Sequence, residues 1–329
     1  MSKKVKIKIV DYYAKLYQTI EEIIMPEYEL EISDHPDFLI YGPYGTGLEH
    51  YKYNNCIKIC WCAEGIVPDF NECDYGIGSF PMSVYDNRYL RVPYCAPSDE
   101  IMKRAICRTD ATNRKFCNFV YSNETRGEGA VLRKLFCKEL MKYKQVDCPG
   151  NVLHNMDGDI SGRGETGWVR SKINFVSNYK FTIAFENVKQ YGMISEKIMT
   201  AFQGESVPIY WGAPDVSDIY NERSFLNLSG IDSIQEMVDR VIELDQDDSK
   251  YYQMLNSCPV SDSFDWNWKL KRKEWFLNIL ENGTSINPDP LAYDSGRLSA
   301  QKIIKASRNP VYRTQEYLDG LIEKIRKRI

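Results

Sequence analysis

The chain has 329 residues, of which 43% are hydrophobic, and its formal net charge is −4 at pH 7. This length and apolar content are sufficient for two medium-sized domains or one large one. The mildly acidic balance argues against nucleic acid as a partner, because nucleic-acid-binding proteins concentrate Lys and Arg. The N-terminus lacks the apolar run of a secretion signal, and no window holds the ~20 apolar residues of a membrane span. We therefore expect a cytoplasmic protein.

Short strands separated by turns and helices are predicted in the first third of the chain. Val5, Ile7 and Ile9 alternate with lysines, which is the period of a strand. Further apolar strands are predicted at Tyr28–Ile32, Phe38–Tyr41, Ile57–Cys62 and Asp74–Gly78. Several of these strands run into Gly-containing loops, which is typical of α/β proteins that place their sites at the carboxyl ends of the strands.

Ten cysteines are present, and three of them, Cys56, Cys60 and Cys62, lie on or immediately before one predicted strand. Their C-x3-C-x-C spacing leaves a metal site open as one interpretation, although no matching second pair follows. The intervening apolar residues favour the other interpretation, in which the thiols are buried and inert. Cytosolic thiols remain reduced, so no disulfide is expected.

A second α/β unit begins near Phe116. The run Phe116–Tyr121 predicts a strand, and apolar positions from Ala130 to Met141 predict the helix after it. A βαβ unit follows, with strands at Phe181–Phe185 and Val207–Trp211. Its helix is predicted to be capped by Ser195 and to end at Gly204. Such a crossover implies parallel strands.

The C-terminal region changes character after Ser261. Aromatic and aliphatic residues between Trp266 and Ile279 predict a helix that packs on the body of the protein, and Gly283–Pro290 is a turn-rich linker. Thr314–Ile329 has the pattern of an amphipathic helix with a basic end. Two interpretations of that helix stay open: peripheral contact with the inner face of a membrane, or packing on the protein with its basic residues at the negative end of the helix dipole.

The βαβ unit also contains residues suited to binding a diphosphate. Glu186 and Asn187 follow its first strand, and Ser195-Glu196-Lys197 open its helix, whose free N–H groups favour an anion. Lys197 occupies the first turn, where the helix dipole disfavours a cation, and this misfit indicates an anionic ligand. Glu196 is placed to accept hydrogen bonds from ribose or sugar hydroxyls. The alternative is that this Glu-Lys pair simply faces solvent.

This region resembles the signature of glycosyltransferase family 10, the α1,3-fucosyltransferases. The family pattern is an apolar strand, FEN, a loop, [TS]EK, a helix and VP-x-x-x-G; the corresponding run here is FTIAFENVKQYGMISEKIMTAFQGESVPIYWGAPDV. Bacterial members have segments similar to FCNFVYSN, VLRKLFCKEL, VDCPGNVLHN, AEGIVPDFNECDYGIGS and NRYLRVP. The resemblance covers the chain from Ile57 to Leu228.

The resemblance implies an α/β fold of GT-B architecture, with two Rossmann-like domains facing each other across a cleft and helices at the C-terminus. We expect residues 1–112 to form the acceptor domain and residues 113–282 to form the domain that binds GDP-fucose. Residues 283–329 are then a linker and an amphipathic helical tail.

The resemblance also implies roles for individual residues. Arg133 and Lys197 match phosphate-binding positions, Glu196 matches a ribose-binding position, and Glu64 matches the candidate catalytic base. The remaining donor-binding positions are Asn123, Glu186, Asn187 and Met193. Met193 stands where bacterial members carry a tyrosine, so packing against the ribose or base is expected to differ at this point.

The activity that the resemblance implies is inverting transfer of L-fucose from GDP-β-L-fucose to a GlcNAc hydroxyl, O3 in a lactosamine-type glycan. The alternatives are another sugar donor or acceptor, or a non-catalytic glycan-binding relative. No metal or other cofactor is expected. Asp157-Gly158-Asp159 has the DxD spacing of a metal motif, but it lacks the preceding apolar strand and is interpreted as a loop.

Overall fold

The computed structural model describes residues 2–13, 15–42, 44, 49–62, 66–82, 87–98, 113–125, 127–158, 160–162 and 165–285. Within these ranges the chain forms two sheets, and every pairing between neighbouring strands is parallel. The α/β prediction is therefore confirmed.

The first sheet has the strand order β2-β1-β3-β4-β5-β6. Its strands are β1 (Lys3–Val10), β2 (Tyr28–Ile32), β3 (Phe38–Tyr41), β4 (Ile57–Trp61), β5 (Tyr75–Gly78) and β6 (Tyr89–Arg91). Val5, Ile7 and Ile9 point into the core as the alternation predicted. The strand order reverses beside β1, because β2 and β3 lie on opposite sides of it.

The second sheet has the strand order β11-β10-β9-β7-β8. Its strands are β7 (Lys115–Asn118), β8 (Val146–Asp147), β9 (Tyr179–Phe185), β10 (Val207–Trp211) and β11 (Leu226–Asn227). The predicted βαβ unit is confirmed, since β9 and β10 are parallel neighbours.

The helices cover these sheets. They are α1 (Leu16–Ile24), α2 (Glu128–Leu140), α3 (Trp168–Val176), α4 (Glu196–Gln203), α5 (Ile234–Gln246), α6 (Asp248–Leu255) and α7 (Trp268–Asn282), and 3-10 turns lie at Glu49–Lys52, Val216–Asp218 and Glu222–Ser224. In α4, the Ser195 side chain accepts from the Lys197 N–H, and Gly204 is the C-cap. Both helix ends thus lie where the sequence predicted them.

Helix α7 returns to the first sheet. Phe276 and Ile279 belong to the core formed by that sheet and α1, and Lys273 lies 2.9 Å from Glu27. The predicted donor segment 113–282 therefore ends in a helix that packs on the other sheet. The division of the chain at residues 112 and 113 remains a prediction, since residues 99–112 lie outside the described ranges.

The predicted strand Phe116–Tyr121 is shorter than expected, because its pairing ends at Asn118. Phe119 and Tyr121 are nevertheless buried, and the Tyr121 hydroxyl lies 3.0 Å from the Ile183 carbonyl oxygen. An apolar run indicates which residues are buried, not where strand pairing ends. Here the buried residues continue beyond Asn118, the last residue of β7.

Three further predictions concern thiols, metal and membrane. Nine cysteines are described, all free, and Cys60 and Cys62 are buried as expected, whereas Cys56 is partly exposed. In the described part of the chain, no three His, Cys, Asp or Glu side chains are grouped to hold a metal, and no helix is long and apolar enough to cross a membrane. Asp157 lies in a loop, as predicted, whereas Asp159 and the tail helix 314–329 are outside the described residues.

Candidate active site

Glu186 lies at the carboxyl end of β9 and is completely buried. Its carboxylate accepts a hydrogen bond from the Ser195 backbone N–H at 2.7 Å, and the Ser195 hydroxyl lies 2.7 and 2.9 Å from its two oxygens. The Lys197 ammonium lies 3.0 Å away. A buried carboxylate needs such partners to remain charged. Glu186 therefore holds the start of α4 in place.

Lys197 is paired within the protein, and the sequence pattern alone did not predict its partner. Its ammonium lies 3.0 Å from Glu186 and 2.8 Å from the Ser195 hydroxyl, and 15% of its side chain is exposed. The buried negative charge of Glu186 offsets the unfavourable position of a cation in the first turn of a helix. The lysine is thus fixed at the carboxyl edge of the second sheet with a face still open to solvent.

Arg133, on α2, is 1% exposed, and its guanidinium joins two of the predicted donor residues. It donates to the Asn187 side-chain oxygen at 2.8 Å and to the Asn123 carbonyl at 2.6 Å, and it lies 4.0 Å from the ring centre of Tyr121. Burial lowers its pKa, while Tyr121 and Glu186 act in the opposite direction. Among the described residues, no carboxylate lies within 4.0 Å of this cation, and its Nε has no hydrogen-bond partner.

Two glycines allow α2 to approach the end of β9 closely. A Cβ atom on Gly129 would lie 2.2 Å from the Glu186 carbonyl oxygen, and one on Gly127 would lie 2.2 Å from that of Asn187. The Gly129 N–H donates to the Asn187 carbonyl at 2.9 Å. Sequence reasoning missed this contact, although the Gly-Glu-Gly at the start of a predicted helix was its signal.

The two sheets meet at their carboxyl edges around Gly192. This residue has a φ of +73°, and a Cβ atom on it would lie 2.2 Å from the Ser79 carbonyl oxygen at the end of β5. Its N–H donates to both Asp215 carboxylate oxygens, at 2.9 and 3.0 Å. The loop after β9 therefore touches the first sheet directly.

Arg91, the last residue of β6, reinforces this contact. It lies 2.6 Å from Asp215 and 3.1 Å from Asp218, and its Nε donates to the Ser79 carbonyl at 3.1 Å. Asp215 thus binds the backbone of one domain's loop and a side chain of the other domain. It was absent from the sequence-based site because an aspartate in a loop after a strand carries no distinctive signal.

The remaining residues of the predicted site, Met193, Glu196 and Glu64, differ in how far they are buried and in whether the structure describes them. Met193 is buried in the loop before α4, whereas 43% of the Glu196 side chain is exposed. Glu64 lies outside the described residues. In the sequence it follows Trp61, the last residue of β4, by three positions.

Two family models match the chain. The model of the alpha-(1,3)-fucosyltransferase FucT N-terminal domain matches residues 7–96, and that of the glycosyltransferase family 10 (fucosyltransferase) C-terminal region matches residues 111–274. The chain belongs to glycosyltransferase family 10. The resemblance inferred from the FEN and SEK runs is therefore confirmed. Apart from the start of β1, both sheets of this family 10 protein fall within the matched regions.

Curated relatives agree with this membership. The family 10 chain is 26% identical to alpha-(1,3)-fucosyltransferase FucT of Helicobacter pylori, over 82% of the chain and 63% of that protein. It is 31% identical to GDP-fucose protein O-fucosyltransferase 3 of Xenopus laevis, over 37% of the chain and 27% of that protein. The chain thus spans less than two thirds of the length of these relatives.

Solved structures share the fold. A crystal structure of an alpha1,3-fucosyltransferase with GDP matches with a TM-score of 0.68 at 23% identity, covering 88% of this chain and 94% of that one. A crystal structure of an alpha1,3-fucosyltransferase with GDP-fucose matches with a TM-score of 0.65 at 24% identity, covering 86% and 93%. The expected pair of Rossmann-like domains is confirmed for this family 10 protein.

Proposed function

We propose that this protein transfers L-fucose from GDP-β-L-fucose, with inversion, to a GlcNAc hydroxyl of a glycan. The observation that carries the proposal is the pair of cations at the carboxyl edge of the second sheet. Arg133 is buried with no carboxylate contact among the described residues, and Lys197 is held in place by Glu186. A diphosphate is a ligand whose charge suits both groups.

The donor half of the mechanism follows from these contacts. As the sugar–phosphate bond breaks, negative charge develops on the departing diphosphate, and fixed positive groups stabilise it. Lys197 and the N–H groups at the start of α4 act directly on that charge. Arg133, which donates to the side chain of Asn187, contributes positive potential. A phosphate oxygen would be an acceptor for its Nε, which has no partner among the described residues. Met193 and Glu196 line the ribose end.

The acceptor half requires a base. We propose that Glu64 removes the proton from the acceptor hydroxyl as that oxygen attacks the fucose carbon, and the bond to GDP then breaks on the opposite face. No metal takes part, because the cations Arg133 and Lys197 supply the charge. The preferred acceptor is O3 of GlcNAc in a lactosamine-type glycan. The reaction takes place in the cytoplasm, with the tail 283–329 available for contact with the membrane surface.

The test is product analysis with the full chain. Incubation with GDP-fucose and either N-acetyllactosamine or lacto-N-biose is expected to give a fucosylated trisaccharide, whose linkage is read by NMR. GDP-mannose and UDP-galactose serve as competing donors. A peptide acceptor belongs in the panel because the Xenopus relative is named a protein O-fucosyltransferase.

The outcomes separate the candidate functions. Transfer from another nucleotide sugar would replace the donor assignment. Fucosylation of the peptide alone would replace the acceptor assignment. Binding of GDP-fucose without release of GDP would indicate a non-catalytic relative. Loss of activity in EDTA, restored by manganese, would contradict metal-independent transfer.

A further inference from the structure

Three tyrosine rings lie together at the carboxyl ends of β1 and β3. Tyr12 and Tyr13 follow β1, and Tyr44 follows β3. The ring centres of Tyr13 and Tyr44 are 5.0 Å apart, and that of Tyr12 lies 5.1 Å from Tyr44. Tyr13 is 63% exposed, the largest exposure among the large hydrophobic side chains of the described residues. We call these three rings the tyrosine cluster.

The backbone holds the tyrosine cluster in place. Asp11, just before it, has a φ of +50°, which is uncommon for a residue other than glycine, and its carboxylate accepts from the Glu49 N–H at 2.6 Å. The Tyr44 N–H donates to the Asp11 carbonyl at 3.1 Å. A Cβ atom on Gly42 would lie 2.3 Å from the Tyr12 ring, so glycine is needed there. Strained backbone of this kind is often found at functional sites.

The position of the tyrosine cluster is that of a ligand site in an open parallel sheet. Ligands bind outside the carboxyl ends of strands where the strand order reverses, and in this sheet the reversal lies between β1 and β3. The ring of Tyr12 lies 6.5 Å from that of Trp61, the last residue of β4. At a strand spacing of about 4.8 Å, β1 is roughly 10 Å from β4, the strand that precedes Glu64. That distance suits an oligosaccharide whose reacting hydroxyl lies near Glu64.

Tyrosine suits a saccharide ligand because it combines an apolar ring face with a hydroxyl that donates and accepts hydrogen bonds. A pyranose likewise presents a face of C–H groups and a rim of hydroxyls. We propose that the tyrosine cluster, and Tyr13 in particular, binds the sugar ring of the acceptor next to the ring that is fucosylated. This proposal rests on the proposed function, since it assigns a subsite to the acceptor.

Tyr13→Ala is the direct test, with initial rates measured against N-acetyllactosamine. The KM for the acceptor is expected to rise roughly 3- to 10-fold, the value of one aromatic contact. The KM for GDP-fucose and the affinity for GDP by calorimetry are expected to remain unchanged. Tyr13→Trp is expected to restore acceptor KM, because it keeps an aromatic face. Leu270→Ala, which removes another exposed apolar side chain on α7, is the matched control.

If something other than the acceptor covers the tyrosine cluster, Tyr13→Ala will have different effects. If the C-terminal segment 286–329 or a second copy of the chain covers the tyrosine cluster, Tyr13→Ala will change the unfolding midpoint or the sedimentation coefficient and leave acceptor KM unchanged. That result overturns the proposal.

Saturation-transfer NMR with N-acetyllactosamine separates a failure of this inference from a failure of the proposed function. If the wild-type protein transfers no fucose, the function is wrong. Saccharide contact that disappears in Tyr13→Ala still supports the subsite. Contact that persists in the variant, or is absent from the wild type, overturns it.

Discussion

The carboxyl edges of the two sheets are built from different chemistry. At the edge of the second sheet, charged groups are buried and hydrogen-bonded, with Glu186 completely enclosed and Arg133 1% exposed. At the edge of the first sheet, the Tyr13 ring lies open to solvent beside the partly buried Tyr12 and Tyr44. A diphosphate has fixed charge and is suited to a preformed cationic site, whereas a neutral glycan offers only ring faces and hydroxyls. This difference fits the proposal that the donor binds at the edge of the second sheet and the acceptor at the edge of the first.

The largest expected effect comes from Glu64, the proposed base. Glu64→Gln removes the proton acceptor and keeps the size of the side chain, so kcat should fall roughly 10²- to 10⁴-fold. Calorimetry should show GDP binding unchanged, because the proposed donor site lies on the other sheet. Glu31→Gln, an exposed glutamate on β2, is the control and should be fully active. Normal turnover in Glu64→Gln would show that another group is the base.

The next effect concerns the buried ion pair of Glu186 and Lys197 at the carboxyl edge of the second sheet. Lys197→Met leaves the Glu186 carboxylate buried without its cation, which should lower the free energy of unfolding by about 3 kcal/mol, measured with urea. Loss of a charge-assisted bond to phosphate should also weaken GDP binding roughly 10- to 100-fold.

A double variant separates these two consequences of losing Lys197. Glu186→Gln/Lys197→Met removes both charges, so it should recover much of the stability while GDP binding remains weak. If GDP affinity returned together with stability, Lys197 would serve only the fold.

A smaller effect is expected where the two edges meet. Arg91→Ala releases Asp215 from the first sheet and should lower kcat/KM about 10-fold through misplacement of the loop around Gly192. The free energy of unfolding should change by no more than about 1 kcal/mol, because the arginine is partly exposed. Lys250→Ala breaks a surface pair with Glu243 and should have no effect on turnover. Equal losses in both variants would contradict a specific role for Arg91.

The smallest effect is a dependence of stability on pH that comes from Asp245 on α5, away from the candidate site. Burial acts to raise the pKa of Asp245, but hydrogen bonds from Lys144 and Lys180 outweigh it, and the pKa lies below its ordinary value of 3.8. A lowered pKa in the folded state stabilises the protein above about pH 4, and this stabilisation is lost as the pH falls through the folded value.

Asp245→Asn tests the direction of this pH dependence of stability. At pH 7 it should lower the free energy of unfolding by about 1–2 kcal/mol, and the difference from wild type should shrink below pH 4. Asp239→Asn, an exposed position on the same helix, should be neutral at both pH values. If the difference in the free energy of unfolding between wild type and Asp245→Asn grew as the pH fell, the expected direction of the pH dependence would be wrong.

Much of the fold was predictable because local patterns report burial. The alternation in β1, the apolar runs of β9 and β10 and the caps Ser195 and Gly204 each act within a few residues of chain. The short strands β8 and β11 were not predicted, because two residues carry no periodicity. The strand that was predicted to reach Tyr121 was too long, because the apolar run continues after β7 has ended at Asn118.

The candidate site was predicted less completely. The sequence placed Glu186, Ser195 and Lys197 in one unit, and Lys197 was recognised as a misplaced cation. Its partner was not recognised, because the loop between β9 and α4 brings residues 186 and 197 together only once it is folded. The resemblance implied that Arg133 binds phosphate, but it did not show that this side chain is buried and contacts Asn123 and Asn187. Direct contact with phosphate remains a prediction.

The sequence by itself determined the order of the longer strands and helices, the family, and the residue types available at each carboxyl edge. Those properties follow from periodicity, capping and a long ordered motif, all of which are local. Only the tertiary structure decided that Arg91 meets Asp215, that α7 packs on the first sheet, and that Tyr13 and Tyr44 lie side by side. Each of these contacts joins residues distant in the chain, and their distances depend on how whole elements pack against each other.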